Sequence, residues 1–248
     1  DRASLITKIA AGQASECCTS LVTDMNSLFK GNTTFNSDIS HWDTSSVTDM
    51  RFMFEQAHTF NQPINNWDVS SVTLMNHMFD RAKVFNQPIN NWDVSSVTNM
   101  KYMFRGTDGQ HYRFNQPLNN WDVSGVIDMQ YMFGTTGGDG AGDNRAFNQN
   151  IGNWEVSNVT NMAAMFKSAN QFNQDLSGWD VSSVTNFALM FDRASAYNNT
   201  GVSLRCWDTS LGTTMNYMFY ITPFNQDISN WCVSLIGAAP TGFGNNAG

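Results

Sequence analysis

Charge is scarce in this sequence, and positive charge scarcest. Of 248 residues only 14% are charged, with 13 Lys and Arg against 21 Asp and Glu, for a net charge of −8. A nucleic-acid binder needs a basic stripe along the phosphates, and none is present, so that class of partner is excluded. No run of eighteen apolar residues occurs, so no segment reads as a membrane-spanning helix. Cysteine is limited to Cys17, Cys18, Cys206 and Cys232, near the two ends. That distribution fits neither a zinc site nor a disulfide-dense miniature scaffold, and suggests stapling of the termini instead. The four histidines (His41, His58, His77 and His111) fall in unrelated contexts. No catalytic triad pattern, HExxH, P-loop or dinucleotide fingerprint accompanies them, so the reading is non-enzymatic. The first residue is Asp, as expected of a processed or trimmed chain.

What the sequence has in abundance is repetition. Residues 60–79 read "FNQPINNWDVSSVTLMNHMF" and residues 85–104 read "FNQPINNWDVSSVTNMKYMF". All eight tryptophans share one column, at spacings of 25, 25, 29, 33, 25, 28 and 24. An aromatic precedes each Trp, by seven residues in most units: Phe35, Phe60, Phe85, Phe114, Phe147, Phe172, Tyr197 and Phe224. Asparagine follows it every time, at Asn36, Asn61, Asn86, Asn115, Asn148, Asn173, Asn198 and Asn225. All fourteen methionines occupy two columns, and a Phe follows the second of them. A half unit, "SLVTDMNSLF", stands at residues 20–29.

Within a unit, "INNWDV" is short and partly alternating, which predicts one β-strand. "SSVTNMKYMF" spaces Val, Met, Met and Phe by three, three and one, which predicts a short helical or 3-10 turn capped by Ser or Thr. Pro63, Pro88 and Pro117 suit the corner between units. The run F-N-Q-x-I-x-x-W-D-V-S-S-V-T-x-M-x-x-M-F resembles the repeat of BspA-like leucine-rich-repeat surface proteins, over about nine-tenths of the chain. That resemblance implies a right-handed solenoid, a cell-surface or extracellular setting, and adhesion or partner binding; it supplies no ligand and no catalytic residue. The expected architecture is therefore a repeat solenoid of 8–9 coils with one parallel strand and one helical turn per coil. It comprises an N-terminal cap at 1–19, a single solenoid at 20–235, and a C-terminal cap or tail at 236–248.

A coil cannot bury its apolar face alone, so the Phe, Met, Val and Trp columns read as a continuous core. The Asn column reads as a structural ladder that satisfies backbone groups at a tight turn. The residue after each Trp differs: Asp43, Asp68, Asp93, Asp122, Glu155, Asp180 and Asp208 form an acidic column, broken only by Cys232. Alternation turns it outward if Trp and Val point inward. Either each carboxylate serves its own turn, or the column is a binding face for calcium, carbohydrate or a basic partner. Calcium is the only cofactor suggested. The Thr column (Thr23, Thr48, Thr73, Thr98, Thr160, Thr185, Thr214) resembles an ice-binding array, although its assigned helical placement disfavours that use. Two insertions, "RGTDGQHYR" at 105–113 and "GTTGGDGAGDNRA" at 134–146, carry the loop candidates Asp108, His111, Asp139, Asp143 and Asn144.

Cys206 precedes Trp207 and Cys232 follows Trp231, so a bridge between neighbouring coils is expected, with a vicinal Cys17–Cys18 bridge or a free thiol at the other end. Disulfides, together with sequons at Asn32, Asn158 and Asn198, would place the chain in an oxidising compartment. The sequence thus reads as an extracellular or cell-surface module for adhesion, protein interaction or structural assembly. Its expected partners are other proteins or matrix components, in a larger assembly.

Overall fold

A computed structural model describes residues 1–107, 110–137 and 144–244. Among them regular secondary structure is confined to a helix α1 (Arg2–Ala10), 3-10 turns at Ala14–Glu16 and Asn199–Gly201, and two-residue strands β1 (His111–Tyr112) and β2 (Asn144–Arg145). The repeats themselves are built from turns that hydrogen-bond across tiers, one tier per repeat.

The tier that starts at Phe60 shows how. Inside it, amides close successive turns: Trp67 donates to the Ile64 carbonyl (3.2 Å), Val72 to Val69 (2.9 Å), Met78 to Met75 (3.1 Å), Asp80 to His77 (3.1 Å) and Ala82 to Phe79 (3.0 Å). The amides between them leave the tier. His77, Phe79 and Arg81 donate to the carbonyls of Lys101, Met103 and Arg105 in the next tier, at 2.9, 2.9 and 2.7 Å. Local and inter-tier bonds alternate, so the segment completes neither a helix nor a strand. The alternation requires left-handed backbone at fixed places. Phe52, His77, Tyr102, Tyr131, Ala164, Leu189 and Tyr217 all have φ between 54° and 62°. Each such residue costs about 1–2 kcal/mol, which only the surrounding bonds and burial can offset.

Two features expected from the sequence differ here. I-x-x-W is a turn closed by the Trp amide on the aliphatic carbonyl in every tier, not a strand. The Thr-x-Met stretch, assigned to a helical turn, carries the parallel pairing instead: Asp24, Asp49, Leu74, Asn99, Asp128, Asn161, Asn186 and Thr214 form one unbroken line of bridges. Apolar steps of three suit a helix, but they suit equally a chain of turns whose free amides find partners one tier away. The column Thr in the last full tier is Thr213, whose amide and hydroxyl both meet the Thr185 carbonyl, rather than Thr214.

The core is a set of stacks. Phe29, Phe54, Phe79, Phe104, Phe133, Phe166, Phe191 and Phe219 lie ring on ring at 5.4–5.8 Å. The Phe35-to-Phe224 column runs beside them at 5.7–6.1 Å. Where one repeat passes into the next the two rings approach to about 4 Å, as for Phe79 and Phe85. The Met column is sealed, with Met50, Met75, Met100, Met129 and Met162 wholly buried, as flexible thioethers filling the space between rigid rings would be.

Two side-chain ladders bind the tiers. Every indole N–H donates to a carbonyl one tier back, from Trp42 on Ala14 to Trp231 on Leu204, at 2.8–3.2 Å. The amide oxygens of Asn36, Asn61, Asn86, Asn115, Asn148, Asn173 and Asn198 each accept the backbone N–H of the next column Asn, at 2.9 Å for six steps and 3.2 Å for the last. At the corner before the aliphatic residue, three consecutive repeats carry Pro63, Pro88 and Pro117, and others carry Asp38, Asn150, Asp175 and Asp227. A side-chain oxygen of each of those four accepts the amide two residues on. Proline fixes the bend covalently and the acid or amide fixes it by a hydrogen bond.

At the first end, α1 is capped by Asp1 and buries Leu5, while Ala14 stands where an aliphatic column residue would. At the other, residues 241–243 continue the ladder, taking the amides of Tyr217 and Phe219 on the carbonyls of Thr241 and Phe243 (both 2.8 Å).

The ladder makes the worth of a residue depend on what lies above it. Asn86→Ala should cost about 1–3 kcal/mol, since it strips the partner from the Asn115 amide and from Gln116 Nε2. Asn225→Ala, at the exposed last rung, should cost under about 0.5 kcal/mol. Denaturant unfolding of the two variants measures the contrast; equal losses would show that the ladder contributes nothing.

Candidate functional site

The acidic column lies on the surface. Asp43, Asp68, Asp93, Asp122, Glu155, Asp180 and Asp208 are all exposed, each beside a buried Trp. Each also serves its own turn: one carboxylate oxygen accepts the amide of the Ser two residues on, from Ser45 through Ser70, Ser95, Ser124, Ser157 and Ser182 to Ser210, at 2.9–3.2 Å. The serine hydroxyls of Ser45, Ser70 and Ser95 add a second bond. Side-chain and then backbone bonds from these serines hold Asp43, Asp68, Asp122, Asp180 and Asp208 below the ordinary carboxylate range. One oxygen is thus committed to the turn while the charge remains in water. Asn90, Asn91, Trp92, Asp93, Asn120 and Asp122 line a shallow depression of about 370 Å³ on this face. Among the described residues no group of three or more His, Cys, Asp or Glu is arranged to hold a metal ion.

A second polar column is buried at Glu55, Asp80, Lys167 and Asp192, and the sequence reading missed it. The residue after each stacked Phe is Lys30, Glu55, Asp80, Arg105, Gly134, Lys167, Asp192 or Tyr220. Lys30 pairs with Glu55 at 2.7 Å, Glu55 with Arg81, and Asp80 with Arg105 through two bonds of 2.5 and 2.9 Å. Lys167 meets Asp192 at 2.6 Å. Gly134 interrupts the series, because a Cβ there would sit 2.1 Å from the Ala164 carbonyl oxygen. Burial alone would raise the Asp80 pKa, but bonds from His77 and Arg105 and the Arg105 and Arg81 charges hold it below the usual value. The recurrence of charged residues of both signs after Phe was the available signal.

The left-handed positions present a third column, also missed, of half-buried aromatics: Phe52, His77, Tyr102 and Tyr131 stack at 4.6, 4.5 and 5.2 Å. Lys30 lies over Phe52 at 4.5 Å, and Arg105 over Tyr102 at 4.4 Å.

The insertions meet. β1 and β2 pair in parallel with His111 opposite Asn144 and Tyr112 opposite Arg145, and Gly106 bridges Thr135 below them. His111 is exposed beside a depression of about 510 Å³ lined by Asn86, Tyr112, Arg113 and Ala146. Asp108, Asp139 and Asp143 lie outside the described residues, as does the Asn144 side chain.

The expected disulfides do not form. All four cysteines are free thiols, Cys17 buried and Cys18, Cys206 and Cys232 exposed. Trp207 and Trp231 stack at 5.9 Å. Cys206 and Cys232 flank them on opposite sides, so a two-residue offset adds to the tier spacing. The two thiols are out of register by two residues, and both remain free. Cys17 instead directs its sulfur to the Gln13 carbonyl.

The family model described as "Mycoplasma protein of unknown function, DUF285" matches residues 5–113, 109–138 and 140–247, three successive hits that mark a repeat protein. No curated protein and no solved structure gives a significant match.

Replacing Asp80 by Asn should cost about 3–5 kcal/mol, because Arg105 then lacks its counter-charge in a largely buried site, while Arg81 keeps Glu55. Since its folded pKa is lowered, the stability Asp80 contributes is present above its unfolded value, near 3.8, and is lost as pH falls through the folded value. Thermal melts taken from neutrality to below pH 3.8 should show a smaller acid-induced drop for the variant. An identical pH profile would contradict the role given to Asp80.

Proposed function

The chain belongs to this repeat family of unknown function, and from that premise we propose that it is a non-enzymatic interaction module acting at a cell surface or outside the cell, in adhesion or assembly. In this reading the tiers form a right-handed solenoid of the kind the BspA-like resemblance implies, and the acidic column is the contact line. One observation carries it. The Trp, Asn, Met and Phe columns are used up in internal bonds and stacks, while Asp43, Asp68, Asp93, Asp122, Glu155, Asp180 and Asp208 stay exposed in register. A row of charges one tier apart suits a partner that carries repeated cations, and each contact multiplies the next through effective concentration. The same row gives the charge that steers association.

The test exploits the turn chemistry. Asn keeps an oxygen for the Ser amide and removes the charge, so the quadruple variant D43N/D68N/D93N/D122N should melt like the parent. Binding to an immobilised lysine-rich polypeptide should weaken at least tenfold and lose most of its salt dependence. Unchanged affinity in a normally folded variant would sink the proposal.

Ice binding gains support from one observation as a second reading. Thr48, Thr73, Thr98, Thr160, Thr185 and Thr213 are exposed and sit beside the parallel bridges, in line, rather than in a helical turn. The hydroxyls of Thr48, Thr73, Thr160, Thr185 and Thr213 bond the preceding column carbonyl at 2.9–3.3 Å, which fixes their orientation. Thermal hysteresis should then appear and vanish in Thr73→Tyr; its absence from the parent protein rules this reading out.

A further inference from the structure

Cations are few in this protein, and most of them already have a carboxylate. Arg2, Lys30, Arg51, Arg81, Arg105 and Lys167 each form an ion pair within the stack. Lys83 and Arg113 differ. Among the described residues neither pairs with an acid: the Lys83 ammonium bonds the Gln110 side-chain oxygen at 2.8 Å, and Arg113 is exposed. They stand on neighbouring tiers, joined by the Arg113 amide on the Lys83 carbonyl at 3.1 Å. Half-buried His58 holds the corresponding place one tier before Lys83. Burial, and then the Lys83 and Arg81 charges, keep its pKa below the ordinary value.

The strip these residues occupy carries no acid anywhere along the stack. From two positions before the column aromatic to two after it, none of the eight repeats has Asp or Glu, although the chain has 21 of them. Four successive repeats place a basic residue just before that aromatic: His58, Lys83, Arg113 and Arg145. The rings that follow them, Phe60, Phe85, Phe114 and Phe147, stack at 6.0, 6.0 and 6.1 Å, so the basic residues advance one per tier. The acidic column advances in the same way, with Asp43, Asp68, Asp93 and Asp122 exposed and each held by its own serine. One stack generates both lines, so they share a period and their charges meet rung for rung.

We propose that the acidic column of one copy docks against the His58–Lys83–Arg113 strip of a second copy, so that the protein associates with itself side by side. The inference rests on the reading of the acidic column as a contact line, and it names that line's partner. Single exposed pairs are weak, and several in register make the contact selective. A copy carries one line of each sign, so the contact is heterologous. A docked pair still offers an acidic column on one member and a basic strip on the other, and growth continues into a row or closes as a ring.

Sedimentation velocity on the full 248-residue protein and two variants tests this. K83E/R113E removes the basic strip and keeps the acidic column; D43N/D68N/D93N/D122N does the reverse. Thermal melts establish that both are folded. The parent should form oligomers that grow with concentration and dissociate between about 0.1 and 1 M salt, as the Debye length falls from about 10 to 3 Å. Each variant alone should be a monomer. Their equimolar mixture should form a 1:1 complex and nothing larger, because one intact line on each member makes a single interface. A parent that stays monomeric at low salt overturns the proposal; if it still binds the lysine-rich polypeptide, the acidic column keeps its role with an outside partner. A mixture that stays monomeric, or K83E/R113E protein that assembles like the parent, overturns it equally.

Discussion

The structure depends on handing every second amide of the Met–Phe segment to the tier beyond. A single tier closes its turns with half of its N–H groups and has no internal partner for the rest. The surplus fixes the distance to the next tier, and that distance sets the ring stacking, the indole bond and the Asn ladder. The left-handed residues are the cost of alternating the two kinds of bond. Because each tier satisfies its neighbour, stability accumulates by interfaces rather than by units, as in other repeat proteins.

Much of this was legible in the sequence, because stacking forces identity on a column. The spacing of the tryptophans gave the period, and the position of each Phe, Met and Val gave the core. The Asn and acid columns were legible as polar positions adjoining buried ones. The local conformation was not. A left-handed backbone is usually signalled by Gly or Asn, yet Phe52, His77, Tyr102 and Leu189 hold it here, because tier contacts override propensity. The step of three between Val, Met and Met matches a helix when the partner strand of the ladder is invisible. For the same reason the charge column after Phe went unread. Lys30, Glu55, Asp80 and Arg105 make sense only when set side by side, 25 residues apart.

The two acidic groups of positions in this protein illustrate how placement decides role. Asp43 and its column mates keep one oxygen on the turn and leave the charge in water, so they contribute little to stability and remain available. Asp80 is enclosed and held by Arg105, Arg81 and His77, so its charge is structural and unavailable to any partner. The acid that can be seen from outside is the one whose loss the fold would tolerate.

The pairing of β1 with β2 has a consequence for how such chains change over time. An insertion in one tier raises a ledge whose backbone groups overhang the neighbouring tier. The 105–113 and 134–146 segments solve this by occurring in consecutive repeats and bonding to each other through Gly106, Thr135, Tyr112 and Ala146. A lone insertion of this length would leave its ledge without support, so lengthening on this scale should spread between adjacent repeats, whereas the three extra residues before Trp207 fold into a local turn. Decoration of a uniform stack would thus arise in patches, growing sideways from tier to tier.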